Sequence, residues 1–222
     1  MHINQPNYNN ICNLLQNKNA TLVAVSKIKP PEAIRELYDM GHRDFGENYV
    51  QELVDKQTKL PSDIRWHFIG HLQTNKVKYL APFVHLIHGI DSLKLLQEVS
   101  KQAKKAGRTI DVLLQVHIAK EETKFGLDDQ ELVALLASDV FKELTNVRVA
   151  GLMGMASFSD DEQQVRSELR HLKLLYEKYA PIETENCRFR ILSMGMSGDY
   201  KLALEEGSNM VRIGSLLFGS RS

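Results

Sequence analysis

Only two cysteines occur in 222 residues, Cys12 and Cys187, and no Cys-x-x-Cys pair, so there is neither a disulfide framework nor a cysteine zinc site to build. Both read as small inert hydrophobes. A charge excess of either sign is also missing. Lys and Arg total 28, as do Asp and Glu, which leaves no cationic surplus to displace counterions from a nucleic-acid backbone or to hold an anionic membrane. Nucleic acid and membrane are thereby disfavoured as partners. The stretch Met1 to Gln16 is polar and Asn-rich where a secretory signal needs a basic end and an apolar run, and no later stretch reaches membrane-spanning length. A cytoplasmic location is the expectation. No Gly-x-Gly-x-x-Gly or Walker-type string cradles a nucleotide, and no His-Glu-x-x-His string offers a helical zinc site.

What is present is an ordinary globular composition, 43% hydrophobic and 25% charged, with short β-rich runs alternating with amphipathic helical stretches and no linker between them. The runs are Leu22 to Ser26, Asp44 to Gly46, Trp66 to Ile69, Leu86 to Gly89, Asp111 to His117, Val149 to Met153, Phe189 to Ser193 and Met210 to Ile213. Helix signals separate them. Pro30 and Pro31 open one helix and Gly41 closes it; Ser92 precedes Leu93 to Ala106; Asp128 and Glu131 form a capping box; Asp160, Asp161 and Glu162 make an acidic helix start; Ser197 precedes a short helix closed by Gly207. Buried parallel strands need helices on their outer face, so eight such units predict a single (β/α)8 TIM-type barrel over residues 1–222, with an open doubly wound sheet as the alternative. Ile11, Leu14 and Leu15 add an extra N-terminal helix, expected to pack across the bottom of the barrel.

In a barrel of this kind chemistry sits where strands give way to loops at their C-terminal ends. Lys27 directly follows Leu22-Val23-Ala24-Val25, and an inward amine there, partly removed from water, suits imine chemistry. Position alone equally allows a lysine that caps the strand and reaches solvent. Ser193-Met194-Gly195-Met196-Ser197 and Arg212-Ile213-Gly214-Ser215 place hydroxyls and glycines after the seventh and eighth strands, where backbone N–H groups with Ser197 and Ser215 fit a phosphate dianion. Two ordinary turns are the alternative. His67 and His71 lie four apart on a strand, too distant to chelate, so no metal site is expected; His85 and His88 read as packing residues.

Taken together, Ala24-Val25-Ser26-Lys27, Phe45-Gly46-Glu47-Asn48-Tyr49-Val50-Gln51-Glu52, Trp66-His67-Phe68-Ile69-Gly70-His71-Leu72-Gln73, Leu192-Ser193-Met194-Gly195-Met196-Ser197 and Val211-Arg212-Ile213-Gly214 resemble the pyridoxal phosphate homeostasis protein family over nearly the whole chain. The resemblance implies a barrel like the N-terminal domain of alanine racemase, with pyridoxal 5′-phosphate held as a Schiff base on Lys27. By the same likeness Arg212 faces the pyridine nitrogen, Ser197, Gly214 and Ser215 hold the phosphate, Asn48 and His71 lie near the ring, and Met196 joins the cofactor contacts. An arginine at the ring nitrogen disfavours protonating it, which makes the ring a poorer electron sink. Racemases of this fold type add a second base from a further domain, which is not expected here. The segment Glu122-Thr123-Lys124-Phe125-Gly126 departs from the usual Lys-Ser-Gly of relatives and leaves Lys124 as a candidate secondary lysine.

The resemblance therefore implies a non-catalytic, monomeric binding protein that stores pyridoxal phosphate or delivers it to dependent apoenzymes. Two enzyme readings stand beside it: a weak amino-acid racemase using Lys27 with His71 or Lys124, and a cofactor-free aldolase acting on a sugar phosphate.

Overall fold

The structure, a computed structural model, describes residues 3–121 and 125–219; Glu122, Thr123 and the candidate Lys124 lie outside the described residues. Its strands are β1 Thr21–Val25, β2 Asp44–Glu47, β3 Arg65–Phe68, β4 Leu86–Ile90, β5 Ile110–Val116, β6 Val147–Gly154, β7 Cys187–Ser193 and β8 Met210–Ile213. Each pairs in parallel with the next, and β8 returns to β1 with Met210 opposite Thr21 and Ile213 opposite Ala24. That last pairing closes a (β/α)8 barrel and rules out the open sheet, in which β1 and β8 would not meet.

The period of two along each strand sorts side chains between lumen and outer wall. Val23, Leu86, Leu113, Ala150, Met153 and Met210 form an inner apolar cluster. Their neighbours Leu22, Ala24, Phe45, Trp66, Phe68 and Ile87 belong to the larger core between strands and helices. Both faces of the sheet are therefore covered, which is why its strands read as short, mostly apolar runs.

The helices are α1 Gln5–Asn17, α2 Pro31–Asp39, α3 Val50–Lys59, α4 Val77–Leu80, α5 Leu93–Lys105, α6 Asp129–Ala137, α7 Asp139–Lys142, α8 Glu162–Tyr179, α9 Tyr200–Glu205 and α10 Ser215–Phe218. Asp128 and Glu131 reciprocate as a capping box on α6, and Ser92 Oγ accepts from Leu95 N–H at the start of α5. On α8 the cap is Asp161, whose carboxylate accepts from Gln163 and Gln164 N–H. The helix expected after Ser197 begins three residues later, with Asp199 at its N-cap position.

The N-terminal helix does not cross the bottom of the barrel. One end of α1 is bonded to α10, through Asn4 N–H to Leu217 O at 2.8 Å and Asn7 Nδ2 to Leu216 O at 3.2 Å. There Asn7, Asn10 and Ile11 share a cleft of ≈ 450 Å³ with Ser197 and Tyr200. At its other end Cys12, Leu15 and Gln16 share a cleft of ≈ 300 Å³ with Asp44 and Arg65, at the strand starts. The helix thus runs along the outer wall at the β8–β1 seam. Its reason is packing: α10 has 4 residues and leaves the seam uncovered, and Tyr8, Ile11 and Leu15 fill it.

Candidate functional site

At the end of β1 the chain makes a tight turn whose shape is imposed from behind. Ser26 N–H donates to Gly46 O at 3.0 Å, and Ile28 adopts φ +61°, a left-handed conformation that costs a β-branched residue roughly 1–2 kcal/mol. Glu52 holds it there, its carboxylate accepting from Ile28 N–H at 2.6 Å. Lys56 completes the brace: its Nζ lies 2.6 Å from Glu52, 2.8 Å from Glu47 and 2.8 Å from Ser26 O. Ser26 Oγ donates to the same Glu47 oxygen at 2.6 Å. Burial pushes the Glu47 carboxyl above the usual carboxylate range, against the pull of Lys56 and Ser26. Lys27, half-buried, is carried on this braced turn at the barrel mouth.

Sequence reasoning passed over Lys56 and did not assign Glu52 a role, although their spacing of four in the stretch between the second and third strands was a usable signal. What hid them is that their partners Ser26 and Glu47 lie on other elements.

The loops after β2 and β3 are pressed together beside this turn. A Cβ on Gly70 would come 2.4 Å from Asn48 O, so a glycine is required where the two backbones meet. Asn48 is half-buried, and its Oδ1 is fully buried without a hydrogen-bond partner among the described residues. An orphaned buried oxygen of this kind is costly unless a ligand satisfies it. His71 sits on the rim, its Nδ1 3.2 Å from Asp91, its ring stacked on Phe125 with centroids 4.0 Å apart. The unusual Phe125 thus caps His71.

After β7, Gly195 takes φ +97°, and an added Cβ would lie 2.6 Å from Ala203 Cβ. This bend lets Gly195 O accept from Arg212 N–H at 3.0 Å and brings Ser197 Oγ within 3.3 Å of Gly214 N. Gly214 in turn packs on Val25, two residues before Lys27: a Cβ there would stand 3.0 Å from Val25 O. The turns after β7, β8 and β1 therefore converge. Ser215 is exposed at the start of α10, and Met196 is exposed with its N–H on Asp199 at 2.6 Å.

Arg212 lies inside the barrel, 4% exposed. Its guanidinium donates to Ser193 Oγ at 2.6 Å, Ser193 O at 2.9 Å and Gly154 O at 3.0 Å, and it forms no ion pair with an acidic side chain among the described residues. Burial pushes its pKa down to about 10, partly countered by the charge of Asp199, so it stays cationic at neutral pH. A half-buried amine, an unpartnered amide oxygen, a buried cation with no carboxylate and two converging hydroxyl turns together suit a small anionic, carbonyl-bearing ligand.

The family model described as alanine racemase, N-terminal domain, matches residues 4–222. A pyridoxal phosphate homeostasis protein of Aquifex aeolicus is 45% identical over 204 residues, covering 91% of this chain and 87% of that protein. One from Pseudomonas aeruginosa is 39% identical over 202 residues, covering 90% and 84%. Among solved structures, PipY of Synechococcus elongatus PCC7942 with PLP bound superposes with a TM-score of 0.84 at 34% identity, covering 96% of this chain and 100% of that one.

Proposed function

The chain belongs to the pyridoxal phosphate homeostasis protein family, within the alanine racemase N-terminal domain model, and we propose that it binds pyridoxal 5′-phosphate on Lys27 as a non-catalytic carrier. It would hold the cofactor within the cell and release it to dependent apoenzymes. When bound, the cofactor supplies an aldehyde that condenses with an amine as a Schiff base, and the amine offered here is Lys27.

The observation that carries this reading is the position of Gly214, with its N–H on Ser197 and its backbone against Val25. It sets the turns after β7 and β8 against the turn that carries Lys27, which supports one small molecule bridging them. Ser197, Ser215 and the Gly214 N–H are the groups assigned to the phosphate. Asn48, whose Oδ1 is buried without a partner among the described residues, is assigned to the ring's polar edge, and Arg212 to the ring nitrogen. His71, held by Asp91 and covered by Phe125, closes one side of the mouth. A permanently charged arginine at the ring nitrogen supports holding over turnover, because it opposes the ring protonation that carbanion chemistry exploits.

Borohydride reduction of the loaded protein followed by peptide mass spectrometry tests the assignment. A pyridoxyl-phosphate mass on the Lys27 peptide, lost in Lys27→Ala, is expected. A sugar-fragment mass would favour the aldolase reading, and no adduct on Lys27 would sink the proposal. Deuterium entering the α-carbon of an amino acid in a Lys27-dependent way would replace carrier with racemase.

A further inference from the structure

A buried line of hydrogen bonds crosses the barrel lumen from one end to the other. Asp44, the first residue of β2, lies at the strand-start end, its Oδ1 3.0 Å from His67 Nε2. His67 Nδ1 is 3.0 Å from His88 Nε2, and His88 Nδ1 is 3.2 Å from Ser193 Oγ. Ser193, the last residue of β7, accepts from Arg212 Nη1 at 2.6 Å near the mouth. His67, His88, Ser193 and Arg212 are each 4% exposed or less, so the line is shielded from bulk solvent.

With one hydrogen on each imidazole, donor chemistry gives the line a single direction. A guanidinium only donates, so Ser193 Oγ accepts from Arg212 and is free to pass its own hydrogen to His88 Nδ1. A carboxylate only accepts, so His67 carries a hydrogen on Nε2. If His88 Nδ1 accepts, its Nε2–H donates to His67 Nδ1, and both imidazoles are neutral with the hydrogen on Nε2. Every dipole then points the same way, from the guanidinium to the Asp44 carboxylate.

The far end of the line also resembles a metal site. Asp44, His67 and His85 bring one ligand atom each within 4.8 Å of one another. Arg65, however, already donates to both Asp44 oxygens, at 2.7 and 2.5 Å, and sets a permanent positive charge where a cation would have to bind. The cluster is therefore an anchored anion at the end of the line.

We propose that Asp44, His67, His88 and Ser193 are positioning residues for Arg212, a relay that fixes the plane of its guanidinium and ties its charge to a carboxylate at the opposite end of the barrel. The relay leaves Arg212 without a carboxylate beside it, so its remaining hydrogen-bonding edge is not taken by a protein anion. The proposal rests on the assignment of Arg212 to the cofactor's ring nitrogen, which the first arm of the test does not require.

In that arm, long-range 15N–1H correlation spectra of the cofactor-free protein near pH 7 read the tautomers directly. Neutral His67 and His88, each protonated on Nε2, are expected, with the His88 Nδ1 signal moving in Ser193→Ala. A doubly protonated His67, or a His88 protonated on Nδ1, overturns the relay. The second arm compares Ser193→Ala, Ser193→Thr and Asp44→Asn after loading with pyridoxal phosphate. Losing a hydrogen bond to a charged group should weaken retention about tenfold in Ser193→Ala and shift the absorption band of the bound cofactor, with Ser193→Thr restoring both. Asp44→Asn should move the band in the same direction by less. An unmoved band in Ser193→Ala, with the cofactor still on Lys27, overturns the coupling to Arg212. Failure of the wild type to load Lys27 sinks the functional assignment instead, and the tautomers still decide the relay.

Discussion

Two buried cations flank the same stretch of barrel wall and are treated in opposite ways. Lys56, reaching in from α3, has Glu47 at 2.8 Å and Glu52 at 2.6 Å, so its charge is neutralised where it sits and braces the turn that carries Lys27. Arg212, inside the lumen, meets carbonyls and a hydroxyl, and burial lowers its pKa to about 10 without removing its charge. A cation neutralised locally has little left for a ligand; one satisfied by neutral acceptors keeps its field for whatever enters the mouth.

The contrast predicts unequal costs. Lys56→Met strands the buried Glu47 charge and should destabilise the protein by about 3–5 kcal/mol in urea unfolding. Arg212→Met removes a buried charge that has no ionic partner, and should change stability of the cofactor-free protein by only about 1 kcal/mol while cofactor retention falls. Equal losses in the two variants would break the comparison.

Acid sharpens it through the two carboxylates involved. Burial pushes Asp44 up, but hydrogen bonds and charges from Arg65 and His67 outweigh this and hold its carboxyl well below the usual range. Its contribution is present above its ordinary value of 3.8 and is lost as pH falls below that toward its folded value. Glu47, raised by burial, behaves oppositely: its contribution is present below its ordinary value of 4.5 and is lost as pH rises through its folded value. Between pH 5 and roughly 2, Asp44→Asn should therefore lose less stability than the wild type in thermal unfolding. A steeper loss in the variant would contradict the assignment.

The smallest effect concerns the braced turn itself. Ile28→Gly relieves the φ +61° strain but adds unfolded-state freedom, so a net stabilisation of under about 1 kcal/mol is expected by thermal unfolding. A marked destabilisation would show that the Ile28 side chain, 60% exposed, has a contact worth more than the strain.

Much of the fold is readable in the sequence. Met210 to Ile213 is the strand expected, and Asp44 and Leu86 start theirs as read, because burial on both faces writes strands as short apolar runs. Motifs pick out Lys27, Ser197 and Gly214 in the sequence, and the structure brings the turns that carry these three together. The path of α1 was not legible, since a helical period says which face is buried and not against what. The Glu47–Lys56–Glu52 brace escaped because its members come from β2 and α3, and the His67–His88 line because a lone histidine in a strand carries no sign of its partner on the next strand.

The sequence by itself determined the alternation of strands and helices, the ends at which chemistry would gather and the residue types placed there, because periodicity and turn chemistry are local properties. Only the tertiary structure decided which charges are paired with a carboxylate and which are held by neutral acceptors, because that depends on distances between segments brought together by the closed barrel.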